Sequence, residues 1–188
     1  IGTSGVDRYW IGAKAYEDYG MTVFPVSTDA MPVFLFTKAL DEAFTYQNPQ
    51  MVIIDARGFG QVNTEENMDT RSRRFLDSLK FLSKNWFSSV RKTLDAYEYL
   101  YPDAIDDHGL SFYLPFVKYH PKWKEDDFGI KENIGMWADP YSGFYMSKGQ
   151  SIKQTEQTFV EYDPTYKEAL DPLAEKSLYE VIDYVKQK

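Results

Sequence analysis

Met51-Val52-Ile53-Ile54-Asp55 is an unbroken apolar run closed by a carboxylate. No polar residue alternates with its apolar ones, which is the pattern of a strand buried on both faces in a parallel sheet. The segment before it reads as a helix. Pro32 stands early, where a missing N–H costs little. Phe36, Leu40, Ala43 and Phe44 then recur at helical spacing, and Asn48-Pro49 stops the pattern. Before that helix, Met21 to Val26 is a second apolar run, followed by the polar turn Ser27-Thr28-Asp29. Earlier still, Trp10 to Tyr19 carries Ile11, Ala15 and Tyr19 on one helical face. Gly20 follows, in the place of a left-handed helix end. Ile1, ahead of Gly2-Thr3-Ser4-Gly5, reads as the last residue of a strand that runs into a glycine-flanked turn.

Strand, helix, strand, helix, strand is the start of an α/β fold, a doubly wound parallel sheet of flavodoxin-like type. Right-handed crossovers would bring Ser4, Ser27-Thr28 and Asp55 to Arg57 to one edge, at the carboxyl ends of the strands where such sheets bind ligands. Beyond the third strand the alternation lapses. Phe75, Leu79, Leu82, Trp86, Val90, Leu94 and Tyr97 form a long helical stripe, broken near Ser83 to Asn85. Tyr101 to His108 reads as an acidic turn, Phe112 to Tyr119 as a short apolar helix, and Gly143 to Thr158 as a hairpin or ordered excursion. Residues 62–150 are therefore expected to be a helical and irregular insertion. Asp171-Pro172 is a helix-start signal, and Ala174, Leu178, Val181, Ile182 and Val185 make an amphipathic helix. The whole, 1–188, is expected to be one domain, incomplete at both ends.

Composition narrows the functional classes. With 188 residues, 43% hydrophobic and 27% charged, the chain suits a globular domain with a core of its own. The absence of cysteine excludes disulfides, Cys-ligated metals and a thiol nucleophile. A net charge of −8 argues against nucleic acid as a partner. The longest apolar run, Ala30 to Phe36, contains Pro32 and is too short to cross a bilayer, so no integral membrane segment is expected. Two histidines leave little scope for a metal site, and neither a metal nor a cofactor is expected.

Ser4 is the candidate nucleophile. A serine between a strand and a helix exposes its hydroxyl beside backbone N–H groups able to hold an oxyanion. The plainer alternative is a simple turn. Asp55 is either a cage for neighbouring N–H groups or part of a site. His120 is either a substrate-side imidazole or a helix-end histidine favoured by the dipole. His108 reads as solvated. Trp137, Tyr141, Phe144 and Tyr145 are either a sugar platform or core packing.

Gly2-Thr3-Ser4 resembles the first block of the SGNH (GDSL-type) hydrolase superfamily, Gly-x-Ser with Ser as nucleophile. Tyr19-Gly20-Met21, Ala39 to Pro49 leading into Val52-Ile53-Ile54-Asp55, and the distinctive Leu114-Pro115-Phe116-Val117-Lys118-Tyr119-His120-Pro121-Lys122-Trp123 extend the likeness. It points to a Gram-positive SGNH-like group related to surface-polysaccharide acyl-transfer proteins. The resemblance implies a serine ester hydrolase or O-acyltransferase acting on glycan or small-molecule esters, outside the cytoplasm or at the cell envelope. It implies Ser4 as the catalytic residue, with Gly2, Ser27, Thr28, Arg57 and His120 around the oxyanion and substrate. Three features depart from the family pattern. Ser27-Thr28-Asp29 stands where the family has an oxyanion-hole glycine, although a backbone N–H there would serve. Asp55-Ala56-Arg57 replaces the family's asparagine. No Asp-x-x-His occurs to supply the base. That motif either lies beyond Lys188 or is lost, and in the second case the chain is a non-catalytic binding or accessory domain. A phosphate or nucleotide binder using Thr3-Ser4-Gly5 is a third reading.

Overall fold

Helix formation in this chain is driven by apolar stripes that find one another. The computed structural model describes residues 1–61, 64–79, 81–119 and 169–188. In order these form α1 (Ser4–Tyr9), α2 (Gly12–Tyr19), α3 (Phe36–Tyr46), α4 (Glu65–Ser78), α5 (Trp86–Leu100), α6 (Ile105–Tyr113), α7 (Pro115–Tyr119) and α8 (Pro172–Lys186). Short 3₁₀ turns occupy Val33–Leu35, Ala56–Gly60 and Pro102–Ala104.

Several ends follow from local chemistry. Gly20 closes α2 in the left-handed region at φ 64°, which a side chain would resist. Thr64 opens α4 with a reciprocal capping box: its hydroxyl accepts from the Asn67 N–H at 3.4 Å, and the Asn67 side chain accepts from the Thr64 N–H at 3.1 Å. The Asp171 carboxylate accepts from the N–H groups of Leu173 and Ala174 at 2.9 and 3.3 Å, and Pro172 starts α8 where no N–H is needed. Leu114 separates α6 from α7 because a residue before proline is pushed away from helical geometry.

The core lies where α3, α4, α5 and α8 converge. Met68, Ser72, Phe75 and Leu76 of α4 are buried at helical spacing, as are Trp86, Val90, Thr93, Leu94 and Tyr97 of α5. Phe36, Ala39 and Leu40 of α3 and Ala174 and Val181 of α8 complete it. Burying one such Phe or Leu side chain contributes about 1.5–3 kcal/mol. The break in the long stripe is tied down: Glu42 of α3 accepts from the Ser83 hydroxyl at 2.7 Å and from the Asn85 amide at 3.0 Å.

The doubly wound parallel α/β sheet expected from the sequence is not found among the described residues. Among the described residues there is no strand, only an isolated parallel bridge between Gly2 and Ser27. A few backbone bonds join the extended segments. Gly2 donates to the Val26 carbonyl at 3.1 Å, Ile1 to Ile53 at 2.6 Å, and Asp55 to Ile1 at 2.9 Å. Two physical causes explain the difference. Pro25 removes an N–H from the Met21 to Val26 run, one residue before its end. The Met51 to Ile54 run is not covered on both faces, since Met51 is 70% and Ile53 46% exposed. The helices α4 to α6, expected as an insertion beside a sheet, instead supply much of the core. Tyr101 to His108, expected as a turn, forms the Pro102–Ala104 3₁₀ turn and the start of α6. Leu82, expected on the buried stripe, is 94% exposed. The proposed excursion 143–158, the aromatic residues from Trp137 to Tyr145, and His120 lie outside the described residues.

Candidate functional site

The turn Gly2 to Gly5 is held between the segments around Val26 to Thr28 and Ile53 to Gly58. Gly2 is there because nothing larger fits: a β-carbon would strike Asp55 and approach the Val6 side chain to 2.8 Å. Thr3 is the cap residue of α1, and its carbonyl accepts from the Val6 N–H at 2.9 Å. Its hydroxyl donates to the Asp55 carboxylate at 3.4 Å. Gly5 lies under the Arg57 guanidinium, which a β-carbon there would displace. Ser4, the first residue of α1, is half-buried between these two contacts.

Asp55 and Arg57 form the electrostatic part. Asp55 caps the Ala56–Gly60 turn by accepting from the Arg57 N–H at 3.1 Å. The guanidinium doubles back onto the same carboxylate through Nε and Nη2, both at 2.9 Å. These bonds hold the Asp55 carboxyl below its ordinary range, against an opposing effect of burial. The Asp55 side chain is 11% exposed and that of Arg57 is 63% exposed, so the pair presents a cation to solvent over a covered anion.

The sequence-predicted residues fall as follows. Gly2 and Ser27 meet in the parallel bridge, and Thr28 follows Ser27 directly. The Thr28 hydroxyl is buried without a hydrogen-bond partner among the described residues. Arg57 is against Gly5, next to Ser4. Among the described residues no hydrogen bond engages the Ser4 hydroxyl, and the neighbouring carboxylate, Asp55, is committed to Arg57. His108 falls within α6.

Behind Ser27 and Thr28 lies a cavity of about 340 Å³, with Val26, Met31, Ala39 and Phe75 on its walls. Glu42, Tyr46, Gln47 and Ser78 are polar groups on its helical side. Its size is at the lower end of the range for small-molecule sites.

Sequence reasoning missed a buried ionic cluster. Asp69 and Arg73 of α4 are 4% and 8% exposed, with Arg73 Nε 3.0 Å from the Asp69 carboxylate. Arg73 also donates to the Ser111 carbonyl at 2.8 Å and hydroxyl at 2.7 Å, and its guanidinium stacks 4.1 Å from the Phe112 ring centroid. Lys118 of α7 donates to the same Asp69 carboxylate. The available signal was the four-residue spacing of Asp69 and Arg73, which on a helix usually marks a solvated pair.

Among the described residues no group of three or more His, Asp or Glu side chains is arranged to hold a metal ion, and no helix is long and apolar enough to cross a membrane. No protein-family model, no curated protein and no solved structure matches the chain.

Proposed function

We propose that the chain carries a serine-based ester hydrolase or O-acyltransferase site centred on Ser4. Its substrates would be acyl groups on cell-surface glycans at the cell envelope. One observation carries this reading: a guanidinium lies across Gly5, the residue after Ser4. A cation held against the residue that follows a serine has the chemistry needed where negative charge develops on an acyl oxygen. Asp55 fixes that cation from behind, so little reorganisation is needed when the charge appears. The cavity behind Ser27 and Thr28 has room for a small acyl group. In the reaction Ser4 Oγ would form a bond to the acyl carbon and lose its proton to a base contributed from outside the described residues, since Asp55 is engaged by Arg57. The glycan oxygen would leave with a proton, and water or a second hydroxyl would then take the acyl group.

Hydrolysis of 4-nitrophenyl acetate by the chain and its Ser4→Ala and Arg57→Ala variants tests the reading. Ser4→Ala should abolish turnover, and Arg57→Ala should lower it by roughly 10²-fold, the effect of removing one oxyanion donor. Equal turnover in Ser4→Ala would overturn the proposal.

A second reading, a binding domain for acylated glycans without catalysis, is favoured by the occupation of Asp55. A carboxylate engaged by three N–H groups of Arg57 is a poor proton acceptor. The two readings separate in a binding assay with an acetylated oligosaccharide. Binding retained in Ser4→Ala, with no product formed by the unaltered chain, identifies the binding domain.

A further inference from the structure

A larger cavity, of about 590 Å³, opens between α3, α5 and α8, away from Ser4. Its charged lining is Lys38, Arg91, Lys92 and Lys176 against Asp95 and Glu180. Four cations facing two carboxylates stand out in a chain whose net charge is −8. Ion pairing leaves Lys176 as the lining cation with no carboxylate partner among the described residues, since Lys38 pairs with Asp41 at 3.4 Å. Arg91 pairs with Asp95 at 2.9 Å, and Lys92 donates to Glu180 at 2.5 Å and to Thr37 at 3.0 Å. Both carboxylates are thereby used.

Donors remain. An ammonium has three N–H groups. Lys92 spends two on Glu180 and Thr37, Lys38 spends one on Asp41, and Lys176 has no partner among the described residues. The lining hydroxyls of Ser88 and Ser177 donate to the carbonyls of Asn85 and Leu173, and among the described residues neither accepts from a lysine. Lys38 and Lys92 are each only 23% exposed, so their charges sit in a cleft that screens them less than open water would. The rest of the wall is apolar: Phe34 and Ala96 are buried there, with Leu173 and Tyr99 beside them.

We infer that this groove is a binding site for an amphiphilic anion, a phosphate monoester or carboxylate joined to an apolar portion. The head group takes the unspent donors of Lys38, Lys92 and Lys176, and the apolar portion lies along Phe34 and Leu173. A cavity of this volume suits a ligand of drug-like size. The inference is independent of the Ser4 reading and shares no residue with it.

Isothermal titration of the whole chain with octyl phosphate, octanoate, 1-octanol and inorganic phosphate tests it. At least one of the two amphiphilic anions should bind with one-to-one stoichiometry. It should bind about ten-fold or more tighter than 1-octanol or inorganic phosphate alone, since head and tail each contribute. The tighter of the two anions identifies the head group. Lys176→Glu, at an exposed position, should weaken binding by about ten-fold or more. Ser88→Trp, also exposed, should block it by filling the groove. Circular dichroism of both variants should match the unaltered chain. Absence of one-to-one binding by either anion would overturn the inference. Equal affinity for 1-octanol, or unchanged affinity in both variants, would do the same.

Discussion

Arg57 closes a ring on Asp55, donating to it from the backbone N–H at 3.1 Å and from Nε and Nη2 at 2.9 Å each. The ring depends on Gly5, because the guanidinium occupies the space that a β-carbon at Gly5 would need. Sequence positions 5, 55 and 57 are thus coupled by volume as well as by charge.

Gly5→Ala should destabilise the chain by up to about 1 kcal/mol, since a partly exposed charge-assisted fork is broken when Arg57 moves away. In an Arg57→Ala background the same change should be neutral or stabilising by up to about 1 kcal/mol, the usual gain of alanine over glycine in a helix. Urea-denaturation midpoints of the four chains give the coupling. An identical cost in both backgrounds would show that Arg57 is not what limits position 5.

Asp55 gives a pH dependence with a definite sign. Its folded carboxyl titrates below the ordinary range because of Arg57. Its contribution to stability is therefore fully present above the unfolded value of about 4 and is lost as pH falls through the folded value. Asp55→Asn should be less stable than the unaltered chain at pH 7, and the difference should shrink steadily below about pH 4. A difference that does not change between about pH 7 and pH 3 would place the effect elsewhere.

What could be read in the sequence was helical punctuation. Gly20 as a left-handed terminus, Asp171-Pro172 as a helix start, and the 75-to-97 stripe with its break are set by short-range chemistry, and each is found in the fold except that Leu82 leaves the stripe for solvent. The apolar runs misled. A run such as Met51 to Ile54 has the same signature whether a sheet covers it or solvent touches it. Its actual partner was Ile1, 52 residues away along the chain. The neighbourhood of Ser4 was approached through an assumed edge of strands. The contacts that bring Gly2 to Ser27 and Gly5 to Arg57 are made by turns and one bridge. The groove of Lys38, Lys92 and Lys176 joins three helices, and no local spacing could announce it.

The cap of α8 offers a simple test of its docking. Asp171→Ala removes the acceptor for two N–H groups and should cost about 1 kcal/mol, whereas Asp171→Asn or Asp171→Ser should retain most of that stability. Because Ala174 and Val181 of α8 are buried in the core, the loss should appear in the global urea transition. Loss confined to fraying, with an unchanged midpoint, would show that α8 is not part of the cooperative unit.

The buried cluster should be the most sensitive polar site in the described fold. Asp69 is the common acceptor of Arg73 and Lys118, so Asp69→Ala leaves a nearly buried guanidinium without its carboxylate. Breaking such a pair from one side costs about 3–5 kcal/mol. Lys118→Met should cost less, because the lysine side chain is 34% exposed and can be hydrated. Arg73→Lys keeps the charge but cannot reproduce the geometry that reaches Asp69 and both oxygens of Ser111 at once, so it should be only a partial rescue relative to Arg73→Ala. The double change Asp69→Leu with Arg73→Met removes both charges and should cost less than the sum of the two single changes. Ser111 then loses the two bonds from Arg73, and Lys118 keeps its charge at a partly exposed position. The double variant should therefore still fall short of the unaltered chain. Guanidinium chloride would screen the charges under test, so urea is the denaturant to use. Additive single costs would mean that Asp69 and Arg73 act separately, against the ion pair that joins them along α4.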